Sequence, residues 1–324
     1  MDARNTVGAE CYFITGCAVE DDIVYLAAQL EDVDSSEYTH TRMNVYVGRF
    51  EPGKQWYSRD LNANIISVCV RKATDFESRQ LVALSKEGEV EFYTTKGGAS
   101  TQEKIPDAGL RLGDLGYMRS IREIGHAIFA CGYNNQVYVR EDGLWKSMTT
   151  DPLQYHHAAS DSYGIFNAID GFSERDIYVV GWKGTVYHWD GHHWRKIHVK
   201  TQENLTCVRC YGQDEVWIGG GNGTLLKGNF FVGFNDVGSF TDNENFWSLT
   251  KYKDQIYLAS TNALFVFDGR VISRVKTGLV PEIETYTVDS TNDILWSIGA
   301  KDLVSFDGSV WKRYDHPDNP SIQP

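Results

Sequence analysis

The stretch IFNAIDGFSERDIYVVGWKGTVYHWDGHHWRKIHV, residues Ile165–Val199, reads as four short strands joined by tight turns. IFNAI is the first strand, and a Ser-Glu-Arg-Asp turn leads into IYVVG. A Trp-Lys-Gly turn then gives TVYHW, and Asp-Gly gives HWRKIHV. Each run alternates and is rich in β-branched and aromatic residues, and each break carries Gly or Asp, which tolerate turn geometry.

The same pattern recurs along the chain. A small residue followed by an aliphatic one marks the first strand, at Ser67-Val68, Ser120-Ile121, Ala168-Ile169, Cys207-Val208, Ser248-Leu249 and Thr287-Val288. The steps between the small residues are 53, 48, 39, 41 and 39. A second column ends the second strand at Ser85, Gly132, Gly181, Gly219, Ser260 and Gly299. A third is the turn before the last strand, Asp142-Gly143, Asp190-Gly191, Asp268-Gly269 and Asp307-Gly308, followed in three cases by Trp145, Trp194 or Trp311. Asp-Gly between alternating apolar runs is a strong hairpin signal.

With Cys11–Asp60 added, the repeat gives seven units: about 11–60, 65–104, 117–148, 165–199, 205–232, 246–276 and 285–315. Residues 1–10 form an N-terminal extension and 316–324 a C-terminal tail. Four strands every forty residues or so, in an all-β chain, predict a seven-bladed β-propeller with four antiparallel strands per blade. One such sheet has two apolar faces, and only neighbouring blades cover both. The chain begins on an inner strand and ends on an outer one. Blades one and seven are therefore expected to close the ring by packing, without a strand swap.

In architecture the sequence resembles the WD-repeat, kelch and BNR-type propellers over about residues 11–315. It departs from their motifs. No unit has the Gly-His…Trp-Asp pair of WD repeats, and the Asp and Gly of Asp190-Gly191-His192-His193-Trp194 are adjacent, unlike those of the sialidase Asp box. No activity is carried over from either family.

The 324 residues hold 44 Asp and Glu against 31 Lys and Arg, a formal charge of −13. That balance disfavours a nucleic-acid backbone or an anionic membrane and favours a basic partner. There is no long apolar run and no signal-peptide core near the start, so a cytoplasmic protein with reduced cysteines is expected.

The long connections fall at Gln29–Met43, Lys104–Gly116, Thr149–Gly164 and Gly233–Asn245. In a four-stranded blade all four positions open on one face of the disc, which predicts a binding face. Three of the connections are acidic, with aromatics interspersed. They supply the candidate partner-binding residues Glu31, Asp32, Asp34, Glu37 and Tyr38; Asp151, Tyr155, His156, His157, Asp161 and Tyr163; and Phe234, Asp236, Phe240, Asp242 and Glu244. Rings anchor an interface while charges steer approach.

Candidate chemistry is sparse. His188, His192, His193 and His198 read as strand and turn residues, since adjacent histidines on a strand point to opposite faces. Cys207-Val208-Arg209-Cys210 has metal-knuckle spacing but no second pair, and reads as core. Gly219–Gly223 lacks a P-loop Lys and a following helix, and there is no nucleophile elbow. No cofactor, metal or catalytic residue is expected.

The resulting expectation is a non-catalytic binding protein whose acidic face holds a basic protein. The chain is similar in this to the acidic cognate inhibitors that bacteria make against their own toxins. A propeller enzyme with acids or histidines at the pore, and a scaffold subunit of a larger assembly, are the alternatives.

Overall fold

The computed structural model describes residues 8–31, 33, 39–75, 77–95, 98–153, 164–238 and 243–322. Blade one is β1 (Cys11–Glu20), β2 (Ile23–Leu30), β3 (Thr41–Val47) and β4 (Trp56–Leu61). Blade two is β5 (Ile65–Arg71), β6 (Gln80–Ser85), β7 (Glu89–Thr94) and β8 (Ser100–Lys104). Blade three is β9 (Met118–Ile124), β10 (Ala127–Gly132), β11 (Val137–Glu141) and β12 (Leu144–Ser147). Blade four is β13 (Phe166–Ser173), β14 (Asp176–Gly181), β15 (Thr185–Trp189) and β16 (Trp194–Ile197). Blade five is β17 (Leu205–Gly212), β18 (Glu215–Gly220), β19 (Leu225–Asn229) and β20 (Gly233–Asp236). Blade six is β21 (Ser248–Tyr252), β22 (Gln255–Ala259), β23 (Leu264–Phe267) and β24 (Ile272–Arg274). Blade seven is β25 (Thr287–Ser290), β26 (Leu295–Ile298), β27 (Leu303–Phe306) and β28 (Trp311–Tyr314). Each blade is an antiparallel sheet in chain order, giving a seven-bladed all-β propeller. Each innermost strand lies against that of the next blade, and β25 lies against β1.

The core follows from the two-faced sheets. Buried apolar side chains among the described residues fall into seven clusters, one between each pair of neighbouring blades. Each buried Val, Leu, Ile or Phe contributes about 1.5–3 kcal/mol relative to exposure, so the blades stabilise one another.

The small-residue column has a second use besides relieving crowding near the axis. Ser67 Oγ accepts the amide of Ile121 in the next blade (3.2 Å). Ser248 Oγ accepts the amide of Val288 (3.3 Å) and donates to its carbonyl (3.1 Å). Just before this column the inner strand bulges in five blades, as at Phe166/Ala168 and Leu205/Cys207. That bulge corrects one alignment. Gly220, not Gly219, pairs with Leu205 as Gly181 pairs with Phe166, so Gly220 belongs to the column that ends the second strand. A Cβ on Gly181 would collide with the Ile165 carbonyl, and one on Gly220 would lie 2.6 Å from that of Asn204. The incoming connection runs directly over the column.

The Asp-Gly column resolves into two turn types. Asp190, Asp268 and Asp307 each accept the amides two and three residues on, at 2.8–3.0 Å. These bonds hold the three carboxyls below the usual carboxylate range. Asp142 instead takes φ 50° with Gly143 at 77°, a two-residue hairpin between Glu141 and Leu144. In blade five Asn229 replaces the aspartate and accepts the amides of Phe231 (2.8 Å) and Val232 (3.0 Å). Residues 230–232 are therefore a turn, and the last strand of blade five runs to Asp236, beyond the sequence boundary at 232. Two of the column tryptophans staple their blades to the one before. Trp145 Nε1 donates to Glu103 and Trp194 Nε1 to the Met148 carbonyl, both at 3.0 Å.

The ring closes without a shared strand, through side chains of the C-terminal segment. Asn319 Nδ2 donates to the Cys11 carbonyl (3.0 Å), and its Oδ1 accepts the Cys11 amide (2.7 Å). Arg42 pairs with Asp60 (2.9 Å) and Asp318 (3.1 Å). His316 packs edge-on to Phe13 and Trp56, with Nε2 donating to Asn44 Oδ1 (3.2 Å) and Nδ1 accepting the Asp318 amide (3.2 Å). Residues 316–319 are thus part of the fold, not a tail beyond it.

Candidate functional site

The turns between second and third strands and the connections between blades open on one face, called here the connection face. The strands that bound 31–40, 105–117, 148–165 and 237–247 end and begin on it, and residues 275–286 form a fifth long connection that the strand pattern had concealed. The opposite, hairpin face has longer turns of its own at 48–55 and 72–79.

Glu31 sits at the exposed end of β2 and accepts the Tyr12 hydroxyl (2.9 Å). Asp151 is exposed on the third connection, and Glu244 is half-buried, with its carbonyl accepting the Gly223 amide (2.7 Å). Phe234 and Asp236 are strand residues of β20 and not loop residues. Phe234 is 9% exposed, packs edge-on to Tyr178 and belongs to the core between blades four and five. Its place as a partner anchor is withdrawn. Asp236 is exposed and accepts the Gly238 amide (3.0 Å). Asp32, Asp34, Glu37, Tyr38, Tyr155, His156, His157, Asp161, Tyr163, Phe240 and Asp242 lie outside the described residues.

The structure brings forward residues that the pattern did not single out. Trp182, in the β14–β15 turn, and Trp247, just before β21, are each 45% exposed on the connection face. Between them runs a hydrogen-bonded tract. The Lys183 amide donates to Asn204 Oδ1 (3.2 Å), Asn222 Nδ2 to Glu203 (3.4 Å), and the Asn222 amide to Asn245 Oδ1 (3.2 Å). The Trp247 indole N–H donates to Thr261 Oγ1 (2.9 Å), which holds the ring in one orientation. Beyond Thr261 opens a pocket of about 350 Å³ between the β22–β23 turn and residues 275–283. Ala263, Leu264, Leu279, Val280 and an Arg274–Glu282 ion pair line it. On the same face, the insertion 105–117 exposes Leu110 (69%) and Leu112 (108%). It is braced by Gly109–Gly116 and Leu115–Asp107 backbone bonds.

The pore offers little for catalysis among the described residues. Asp170 accepts the Cys210 amide (2.9 Å) and faces Arg122 (3.6 Å), and Asp289 accepts the Ala18 amide (3.1 Å). Burial pushes the Glu123 carboxyl up, yet it too accepts an amide, that of Lys72 (2.8 Å). These carboxylates tie inner strands together. His188 is buried, bonded to Asp176 (2.8 Å) and stacked on Phe230. Cys207 packs between blades five and six while Cys210 packs between four and five, on opposite faces of β17. Burial raises both thiols, Cys207 to about 11. Cys11, His316 and Asp318 converge within 4.8 Å, but both imidazole nitrogens are engaged, and Arg42 holds Asp318 and lies against the Cys11 thiol. A metal ion there would meet a guanidinium, so these residues do not fit one.

Fold and site together define a seven-bladed propeller whose connection face carries, among the described residues, a hydrogen-bonded tract between two exposed tryptophans. Among known proteins, the chain is 29% identical over 309 residues to the immune protein Tsi7 of Pseudomonas aeruginosa, covering 93% of this chain and 96% of that one. Its backbone is similar to the WD40 β-propeller domain of Doa1, with a TM-score of 0.65 at 13% identity, over 92% and 93% of the two chains. That likeness speaks to the fold. No protein-family model matches the chain. No helix of the described residues is long and apolar enough to cross a membrane.

Proposed function

We propose that the chain is a non-catalytic, immunity-type propeller that neutralises a basic protein toxin in the cytoplasm by covering its working surface. The observation that carries this reading is the likeness to an immune protein along nearly the whole of both chains. The charge of −13 supports a basic partner, since opposite charge speeds encounter and repels nucleic acid and anionic lipid. Glu31, Asp151, Asp236 and Glu244 would contribute to this steering with the acids of the undescribed insertions. Tyr38, Tyr155, Tyr163 and Phe240 would add aromatic contacts, with the His156-His157 pair beside them.

The test is co-purification with the tagged full-length chain from its producing cell at low and moderate salt. A basic protein should be recovered in a near one-to-one ratio. Once purified, it should be toxic when expressed alone and harmless when co-expressed with the chain. Recovery of no partner, or of one whose toxicity is unaffected, would remove the reading.

A further inference from the structure

We infer that the partner is gripped over blades four to seven, by a strip that runs from Trp182 to Trp247 and into the pocket beside Thr261. The strip takes an apolar side chain flanked by basic ones on a protein surface. This rests on the proposed toxin-binding role and assigns the grip to residues other than the acidic insertions.

The first argument is exposure. Two tryptophans left 45% exposed at the same rim keep large apolar areas in water. Trp at the centre of a contact supplies most of the energy when covered. Preorganisation is the second. Trp247 is pinned by Thr261, and the backbone between the tryptophans is tied by Asn204, Asn222 and Asn245, so little ordering entropy is lost on binding. The third is charge. Glu203 and Glu244 lie between the two rings with Lys183 in the same tract, and Glu282 stands at the pocket lip beside Arg274 and Lys276, its ion pair with Arg274 exposed (side chains 75% and 53%). A Lys or Arg of the partner meets both an aromatic face and a carboxylate there. A second copy of this chain, at −13, would bring like charge against like.

The exposed apolar residues of the hairpin face differ in arrangement. Leu144, Phe231 with Val232, Val271 and Val310 sit at outer hairpin tips of separate blades, while Phe50 packs edge-on to Tyr57 in blade one and Phe172 lies in blade four.

The test has two arms, both on the full-length protein. In the first, indole ¹⁵N–¹H resonances are followed while acetyl-Arg-Leu-Arg-amide or acetyl-Glu-Leu-Glu-amide is titrated to millimolar levels, with assignment by Trp182→Phe and Trp247→Phe. The Trp182 and Trp247 signals should move with the basic peptide only, and less as salt is raised. No movement, or equal movement with both peptides, overturns the inference. In the second arm the co-purified partner is used. Trp247→Ala should weaken binding by about tenfold or more, whereas Phe231→Ala should change it by less than about twofold, with both variants checked for native circular dichroism. Retained affinity in Trp182→Ala and Trp247→Ala overturns the strip while leaving the immunity reading standing. Absence of any partner removes that reading, and the peptide arm still decides the strip. A dimer in sedimentation that Trp247→Ala abolishes would put a second copy in the strip and overturn the choice of occupant.

Discussion

Asn319 pairs with Cys11 as a backbone residue would, donating to its carbonyl at 3.0 Å and accepting its amide at 2.7 Å across 308 residues of sequence. One side-chain amide thus does at the edge of β1 what a swapped strand does in other closed rings. Replacing it by Ala leaves a buried donor and acceptor unpaired, so Asn319→Ala should lose about 1–3 kcal/mol. Urea unfolding checks this through the midpoint at unchanged slope. Asn319→Asp keeps one acceptor and should lose less.

The same seam predicts acid sensitivity. Burial, opposed by Asp318 and reinforced by Arg42, lowers the His316 imidazole to about 4 from 6.5. Its folded-state value is depressed, so its contribution is fully present above about pH 6.5 and is lost as pH falls toward 4. The loss is about 3 kcal/mol once both states are protonated. Unfolding midpoints measured from pH 7 to pH 4 should fall more steeply for the native chain than for His316→Gln. Parallel curves would refute the assignment.

Asn229→Ala tests the turn reading of residues 230–232. It removes the acceptor of the Phe231 and Val232 amides and should cost about 1 kcal/mol. Asn229→Asp keeps the acceptor, as at the matching positions 190, 268 and 307, but replaces a donor to Asp214 (3.4 Å) by a like charge, so it should recover only part of the loss. Thermal melts of the three proteins decide it.

Electrostatic steering has its own signature. Alanine at Glu31, Asp32, Asp34, Asp236, Asp242 and Glu244 together should slow partner association by about tenfold at low ionic strength and flatten its salt dependence. The dissociation rate should change little. Stopped-flow mixing at several salt concentrations separates the two. An unchanged association rate would show that these acids only solvate the surface.

Those tests also mark where sequence and structure part. The blade count, the inner-strand column and the turn aspartates are legible because each repeats a local chemical need from blade to blade. Phe230-Phe231-Val232 misleads, since an apolar run reads as strand and only the register of Asn229 against Gly233 shows a turn. Gly219 and Gly220 differ by one bulge, which adjacent glycines hide. Trp182 reads only as a turn residue and Trp247 carries no signal of its own, because exposure is set by distant packing and not by neighbours in the chain. The same holds for Arg42 and Asp318, which meet across 276 residues. Two-residue Asp-Gly hairpins and four-residue Asp turns look alike until φ at Asp142 distinguishes them.

The central claim is that the connection face, not the hairpin face, covers the partner. Hydrogen–deuterium exchange of the full-length chain, alone and with its co-purified partner, measures this directly. Slowed exchange is predicted at residues 182–184, 203–204, 243–247 and 275–286, with 48–55, 72–79 and 268–271 unchanged. Protection concentrated on those last three segments, with the first four unaltered, would contradict it.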